Sequence, residues 1–400
     1  MKSYVSIKAN VTGFSFANLG LFNGLGIGLV SAIYSLVLLE ILGSATMVGL
    51  YSSVFNVFGL LIALTFGEVL RVFSKSKLLY VSLVAMIAVF FMMGFNIRAQ
   101  TFIALDFFVL IPWTYVGALL PLFMADFAGK DGMAGLNGRY LTWMNVGALF
   151  APMIAMSIAD VTGLRSVFIV ASFVYLLTLI MFRRYGIVEL EKKIPKITPR
   201  KTFRSIWRET RIYFKKQDYV RAYIMTFGYF LVRTIRILFI PIVLIEYGFS
   251  KDVLGIVLTL GVIPYALLSE PIGRIARRFG PRITNIGMAL GFISFSACAF
   301  LLYFTSGFWM LALLVLLQIP GAVLEALHDL TFFDVAKNSD KSRFFGIFNT
   351  SKKLPRIFAP LFAALFIVVF NATSAVWLFS GIVAILSACA VLWKNKRVIR

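Results

Sequence analysis

The sequence predicts an all-α polytopic membrane protein whose twelve transmembrane helices form two parallel repeats of six. Three observations predict it. Hydrophobic residues make up 60% of the 400-residue chain and charged residues only 14%, against about 45–50% and 25% in soluble domains, so too little polar surface exists to clothe a water-exposed globule. The apolar residues gather into twelve runs, each near the ~20 residues a helix needs to cross a bilayer. The two halves of the chain also repeat each other in register.

The runs lie near 14–40, 45–70, 78–97, 101–126, 134–159 and 164–182, then near 221–246, 252–275, 283–304, 308–333, 344–370 and 374–393. The first follows only Lys2 and Lys8 and is too long for a signal-peptide core, so it is read as a retained helix. A basic stretch divides the chain into an N-terminal bundle (1–182), a linker (183–220) and a C-terminal bundle (221–400). Of the 39 lysines and arginines, 31 fall on the side of the linker and both termini. Arg98, Arg165 and Lys251 fall on the other side, and five lie within spans. The positive-inside rule then expects cytoplasmic termini, and the plasma membrane is the expected location.

Within the linker, Thr198-Pro199 reads as a helix start. Phe203, Ile206, Trp207, Thr210, Tyr213 and Phe214 follow at helical spacing with Arg and Lys between them. This pattern suits an amphipathic helix on an anionic inner leaflet; a solvated basic linker is the plainer alternative.

The repeat is carried by residues that are rare in apolar runs. Glu40, Gly49, Gly67, Arg71 and Phe73 match Glu246, Gly255, Gly273, Arg277 and Phe279. Asp126, Gly138, Thr142 and Phe150-Ala151-Pro152 match Asp334, Gly346, Thr350 and Phe358-Ala359-Pro360. Parallel repeats imply a pseudo-twofold axis along the membrane normal and a solute site near the midplane.

Several functions are excluded. Cys298 and Cys389 each sit inside an apolar run and suggest neither a disulfide framework nor a zinc site. The single histidine, His328, rules out a multi-histidine metal centre. No phosphate loop or dinucleotide fingerprint occurs, so ATP-driven pumping and cofactor chemistry are not expected. The chain is not expected to be an enzyme or to bind nucleic acid; the formal charge of +22 belongs to the membrane topology.

Gly273-Arg274-Ile275-Ala276-Arg277-Arg278-Phe279-Gly280 resembles the loop signature of the major facilitator superfamily between its eighth and ninth helices. A worn copy runs from Gly67 through Arg71 to Lys77. Both copies carry arginine, at Arg71 and Arg277, where the family usually has aspartate, so the family's charge relay is not carried over. Gly67 and Gly273 are expected to let helices approach closely. Gly138, Gly147 and Ala151-Pro152 are similar to a degenerate form of the family's antiporter signature, though packing through small residues would look the same. The resemblance implies a twelve-helix transporter working by alternating access, with the first, fourth, seventh and tenth helices lining the pathway.

The chemistry then rests on polar groups inside the spans. A mid-bilayer Arg or Lys costs at least about 2.5–3.5 kcal/mol, so it calls for a partner or a wet cavity. All five such cations lie in the second half: Arg233, Arg236, Lys352, Lys353 and Arg356. Their repeat-mates are Ile27, Val30, Met144, Asn145 and Ala148, so the scaffold does not require them. Tyr229, Arg233 and Arg236 share one helix face, as do Asn349, Lys353 and Arg356. Gln318, Glu325, His328 and Asp329 form a third stripe.

Tyr229, Arg233, Arg236, Gln318, Asn349, Lys353 and Arg356 are therefore the candidate solute-binding residues. Glu325, and after it His328, are the candidate proton-coupling residues, because histidine titrates in the physiological range. An acid–histidine pair on the tenth helix is similar to that of some sugar–proton symporters, in reversed order. A structural alternative pairs Glu325 with Lys352 or Lys353 to brace the bundle. Five cations against one mid-span acid favour an anionic organic solute, moved by a monomer with protons as the candidate coupling ion. Two alternatives stay open: efflux of hydrophobic drugs, and a transporter-like sensor or scaffold.

Overall fold

The structure, a computed structural model, describes residues 13–95, 98–127, 129–186, 199–336 and 338–392. Its first six helices are α1 (Gly13–Leu42), α2 (Ala45–Val72), α3 (Lys75–Met93), α4 (Ala99–Phe127), α5 (Gly129–Thr162) and α6 (Ser166–Arg184). The linker contributes α7 (Pro199–Lys215). The second half comprises α8 (Gln217–Glu246), α9 (Lys251–Phe279), α10 (Pro281–Phe304), α11 (Gly307–Leu316), α12 (Gln318–Val335), α13 (Asn338–Lys353), α14 (Pro355–Phe370) and α15 (Ala375–Leu392). Twelve stretches among the described residues are long and apolar enough to cross a membrane; they match the expected runs to within a few residues, except that the second ends at Ala63, the fourth at Leu120 and the fifth begins at Thr142. The start signal at Thr198 lies outside the described residues, but α7 does open on Pro199.

Two spans carry a proline through which the backbone stays helical. Pro320 has no N–H for the carbonyl one turn before it, and Leu317, between α11 and α12, keeps φ −55° and ψ −25°. Gln318 returns its side-chain Nε2 to the Leu314 carbonyl at 3.2 Å. In the eleventh span Leu354, between α13 and α14 and just before Pro355, keeps φ −58° and ψ −40°.

The chain gathers into two compact units that do not follow the repeats. One holds Met1–Ile41, Val57–Ile194 and Ser250–Thr259; the other holds Leu42–Asn56, Pro195–Phe249 and Leu260–Arg400. In the first unit, Phe90 stacks on Phe168 and Tyr175 with ring centroids 5.9 and 5.7 Å apart. In the second, α10 and α15 pack through small residues, and Ser296 donates to the Gly381 carbonyl at 2.9 Å.

The repeat-mated glycines Gly49 and Gly255 serve the two units in the same way. A Cβ on Gly49 would stand 2.8 Å from the Pro360 carbonyl oxygen and 3.0 Å from Ala364 Cβ. A Cβ on Gly255 would stand 3.0 Å from Met156 Cβ. Met156 and Ala364 are themselves repeat-mates, so the internal symmetry reaches individual contacts.

The α7 helix lies against the second unit, not wholly on a lipid-facing stripe. Tyr213 is fully buried with Tyr219, Phe332, Phe344 and Phe348, and its hydroxyl donates to the Tyr219 carbonyl at 3.0 Å. That burial pushes the Tyr213 phenol above its ordinary pKa. Lys216 lies 4.9 and 5.1 Å from the Tyr219 and Phe344 ring centres. Trp207 and Phe214, of the same apolar set, are exposed.

Candidate functional site

The polar residues of the second repeat converge on the faces of α8, α9, α12 and α13. Arg233 of α8 donates from Nη1 to Glu325 Oε1 of α12 at 2.9 Å. The same nitrogen lies 3.4 Å from the Tyr229 hydroxyl. The guanidinium also stands 6.0 and 5.7 Å from the Tyr229 and Phe230 ring centres, where the ring faces favour a cation. Tyr229 itself is fully buried and walls the site.

One turn further along α12, Asp329 takes the second ion pair: Lys352 Nζ of α13 stands 2.6 Å from its Oδ1. His328 turns its Nε2 toward Asp329 Oδ2 at 3.5 Å. Its Nδ1 meets the Glu325 backbone carbonyl at 2.7 Å, which assigns the ring proton to Nδ1, because a carbonyl only accepts. The Tyr229 ring lies 4.9 Å from the imidazole centre. Glu325 is thus joined to neither Lys352 nor Lys353, the partners that the bracing alternative gave it. Of the α12 acids, Glu325 faces α8 and Asp329 faces α13.

Arg236, three residues after Arg233, is 6% exposed. No carboxylate among the described residues pairs with it. Its Nη1 instead donates to the Tyr265 hydroxyl of α9, and the guanidinium carbon lies 4.9 Å from that ring centre. Tyr265 is absent from the sequence-derived site, since an aromatic residue in an apolar run carries no distinguishing signal.

Lys353 and Arg356 are exposed, although both lie within a spanning stretch, and no acid among the described residues pairs with them. Asn349 makes no hydrogen bond with a described residue.

The loop-signature residues act differently from expectation. Gly280 precedes α10 at φ +76°, a backbone shape that suits glycine. A Cβ on Gly273 would meet no described atom within 4 Å, so no close approach is seen there among the described residues. Arg278 is exposed, 5.4 Å from the Phe279 ring centre. The side chains of Arg71 and Arg277 lie outside what is described, and no packing is assigned at Gly67. In the antiporter-like segment, Gly147 abuts the Leu21 carbonyl and Ala151 abuts Gly28, so both pack α5 onto α1.

In the first unit the polar residues serve packing. Asn18 and Asn23 donate to the Tyr185 and Tyr140 hydroxyls at 3.0 and 2.9 Å. Asp106 is 2% exposed and accepts from the Tyr34 hydroxyl at 2.7 Å.

The sequence matches the Major Facilitator Superfamily over residues 16–230 and 222–399. No curated protein sequence matches the chain. Among solved structures, a POT family transporter in complex with a thioalcohol-conjugated peptide superposes with a TM-score of 0.79 at 10% identity, covering 97% of this chain and 96% of that one. A POT family transporter in complex with 5-aminolevulinic acid gives 0.75 at 12%, with coverage of 97% and 96%. A peptide transporter POT in complex with sulfate gives 0.72 at 12%, with coverage of 95% and 93%. At these identities the likeness speaks for the fold. Matched from end to end and carrying twelve candidate spans in two repeats, the chain belongs to the Major Facilitator Superfamily and is a membrane transporter rather than an enzyme.

Proposed function

We propose that this transporter moves a small anionic organic solute by alternating access, with protons as the coupling ion. The observation that carries the reading is Arg236, a buried mid-span guanidinium held by a neutral phenol and by no described carboxylate. Such a charge is costly to keep unless an anion shares its position for part of the cycle. Two of the structural neighbours hold 5-aminolevulinic acid and sulfate, ligands that both offer oxygen anions. This supports the chemical class and names no solute.

The Arg233–Glu325 pair supplies a route to coupling. An arginine stays charged at any physiological pH. A proton on Glu325 would therefore weaken the pair and free a fork of donors for a solute carboxylate, and solute departure would restore it. His328, with a bare Nε2 facing Asp329 when neutral, offers a second proton position. In this reading the bundles 1–182 and 221–400 are the moving halves. The linker 183–220 and both termini lie on the cytoplasmic side of the plasma membrane, with α7 at its anionic leaflet.

A thermal-unfolding screen of the purified protein tests the class. Carboxylates and sulfate should raise the melting temperature where sugars and uncharged drugs do not. Stabilisation by lipophilic drugs alone would overturn the anion reading and favour efflux of hydrophobic compounds.

A further inference from the structure

We infer that Tyr265, with Gly321 facing it, presents Arg236 to the solute and makes the site selective for an anion with two oxygens on one face, a carboxylate or a sulfate. This rests on the anion reading above and names the residues that would shape its preference. The starting point is a reciprocal fit between α9 and α12. A Cβ on Gly261 of α9 would stand 3.3 Å from Gln318 of α12. One turn on, a Cβ on Gly321 of α12 would land on both the Tyr265 hydroxyl and Arg236 Nη1. Each helix thus omits a side chain where its partner sets a polar one, and the space beside Gly321 is filled by the tyrosine–arginine pair.

The chemistry of the partner matters more than its presence. A carboxylate in the place of Tyr265 would hold Arg236 as firmly and cancel its charge. A phenol accepts one N–H and spreads its ring beneath the guanidinium, and it leaves the positive charge intact. The bond occupies Nη1. The nitrogens Nε and Nη2 make no hydrogen bond with a described residue and are not among the fully occluded unpaired atoms. Those two carry parallel N–H groups on one edge of the guanidinium. That edge fits two oxygens at once, and a spherical halide can use it only as a point charge.

The test uses purified full-length protein in detergent, with succinate, sulfate and bromide as probes at matched ionic strength. Apparent affinities come from the rise of melting temperature with anion concentration. The wild type should prefer succinate and sulfate to bromide. Tyr265→Phe keeps the ring and removes the acceptor; it should lose that preference at least about tenfold, while its melting temperature without anion stays within about a degree. Tyr265→Glu should abolish the response to all three probes. Gly321→Ala should match Tyr265→Phe; if it fails to fold, the phenylalanine variant decides alone. A merely structural tyrosine would lower stability or weaken every anion alike, and either result overturns the inference. Wild-type selectivity retained in Tyr265→Phe also overturns it and leaves the anion reading standing. A wild type indifferent to all three anions overturns both.

Discussion

Arg233 and Glu325 hold each other's charge across α8 and α12 at 2.9 Å, each about one-third exposed. The contact is made by one guanidinium nitrogen and one carboxylate oxygen, so a ligand that neutralises either group weakens the hold on the other. Under the proposed function a proton would compete for the carboxylate and a solute anion for the guanidinium, so that each ligand would weaken the same bond for the other, the reciprocal assistance that proton-coupled symport requires.

Glu325→Gln removes the titrating group and keeps the shape. Uptake driven by a pH gradient in proteoliposomes should be lost, while solute exchange at equal pH on both sides should persist. A variant that still concentrates solute against its gradient would move coupling to His328 and Asp329.

Arg236→Met should separate stability from binding. The change strands no described acid, and it removes a buried charge that is expensive to hold. The melting temperature should stay level or rise while stabilisation by sulfate disappears. Arg233→Met strands Glu325 and should cost about 1–2 kcal/mol, discounted from the 3–5 typical of fully buried pairs because both side chains reach solvent.

The Lys352–Asp329 bridge, at 2.6 Å with side chains 21% and 44% exposed, should be worth little. A double-mutant cycle of Lys352→Ala and Asp329→Ala on unfolding free energy should give a coupling of about 0.5–1 kcal/mol that shrinks in high salt. A coupling above about 2 kcal/mol would mean the pair is far more sheltered than its exposure indicates.

Gly49→Ala should destabilise more than Gly255→Ala, although the two positions are repeat-mates. The added methyl at Gly49 meets a backbone carbonyl at 2.8 Å, and the one at Gly255 meets the Met156 side chain at 3.0 Å. Backbone yields less than methionine. Thermal unfolding should show about 1–3 kcal/mol for the first and under about 1 for the second; the reverse order would contradict the contacts.

The topology can be read by cysteine labelling after Cys389→Ser removes the exposed thiol. An impermeant maleimide added outside cells should reach Arg98→Cys and miss Arg208→Cys on α7. Labelling of position 208 alone would invert the assignment.

The spans, the repeat and the confinement of cations to the second half were legible because hydrocarbon enforces length and polarity one residue at a time. Pairing was less legible. Spacing places Glu325 on a stripe of its own helix, but its partner depends on how α12 is rotated against α8 and α13, which no single-helix period records. Hence the sequence reading offered Lys352 and Lys353 as its partners and passed over Arg233. Glycines behaved alike: a Cβ on Gly273 would meet no described atom within 4 Å and one on Gly321 would meet two side chains, a difference set by neighbours far along the chain. Tyr265 escaped notice for the same reason, because its meaning comes from Arg236.

Arg233 and Glu325 are also separated in time. They lie 92 positions apart, an interval of roughly 5–20 s at ordinary rates of synthesis. Through that interval α8 must enter the bilayer with two arginines and without the acid that holds one of them. Its apolar stretch, with a mean hydropathy of 1.9 over an 18-residue window, offsets their insertion cost, but the Arg233 charge stays unmatched until the ribosome has delivered α12. A chain released before that point leaves a lone guanidinium in lipid, a mark by which quality control could tell an unfinished transporter from a complete one.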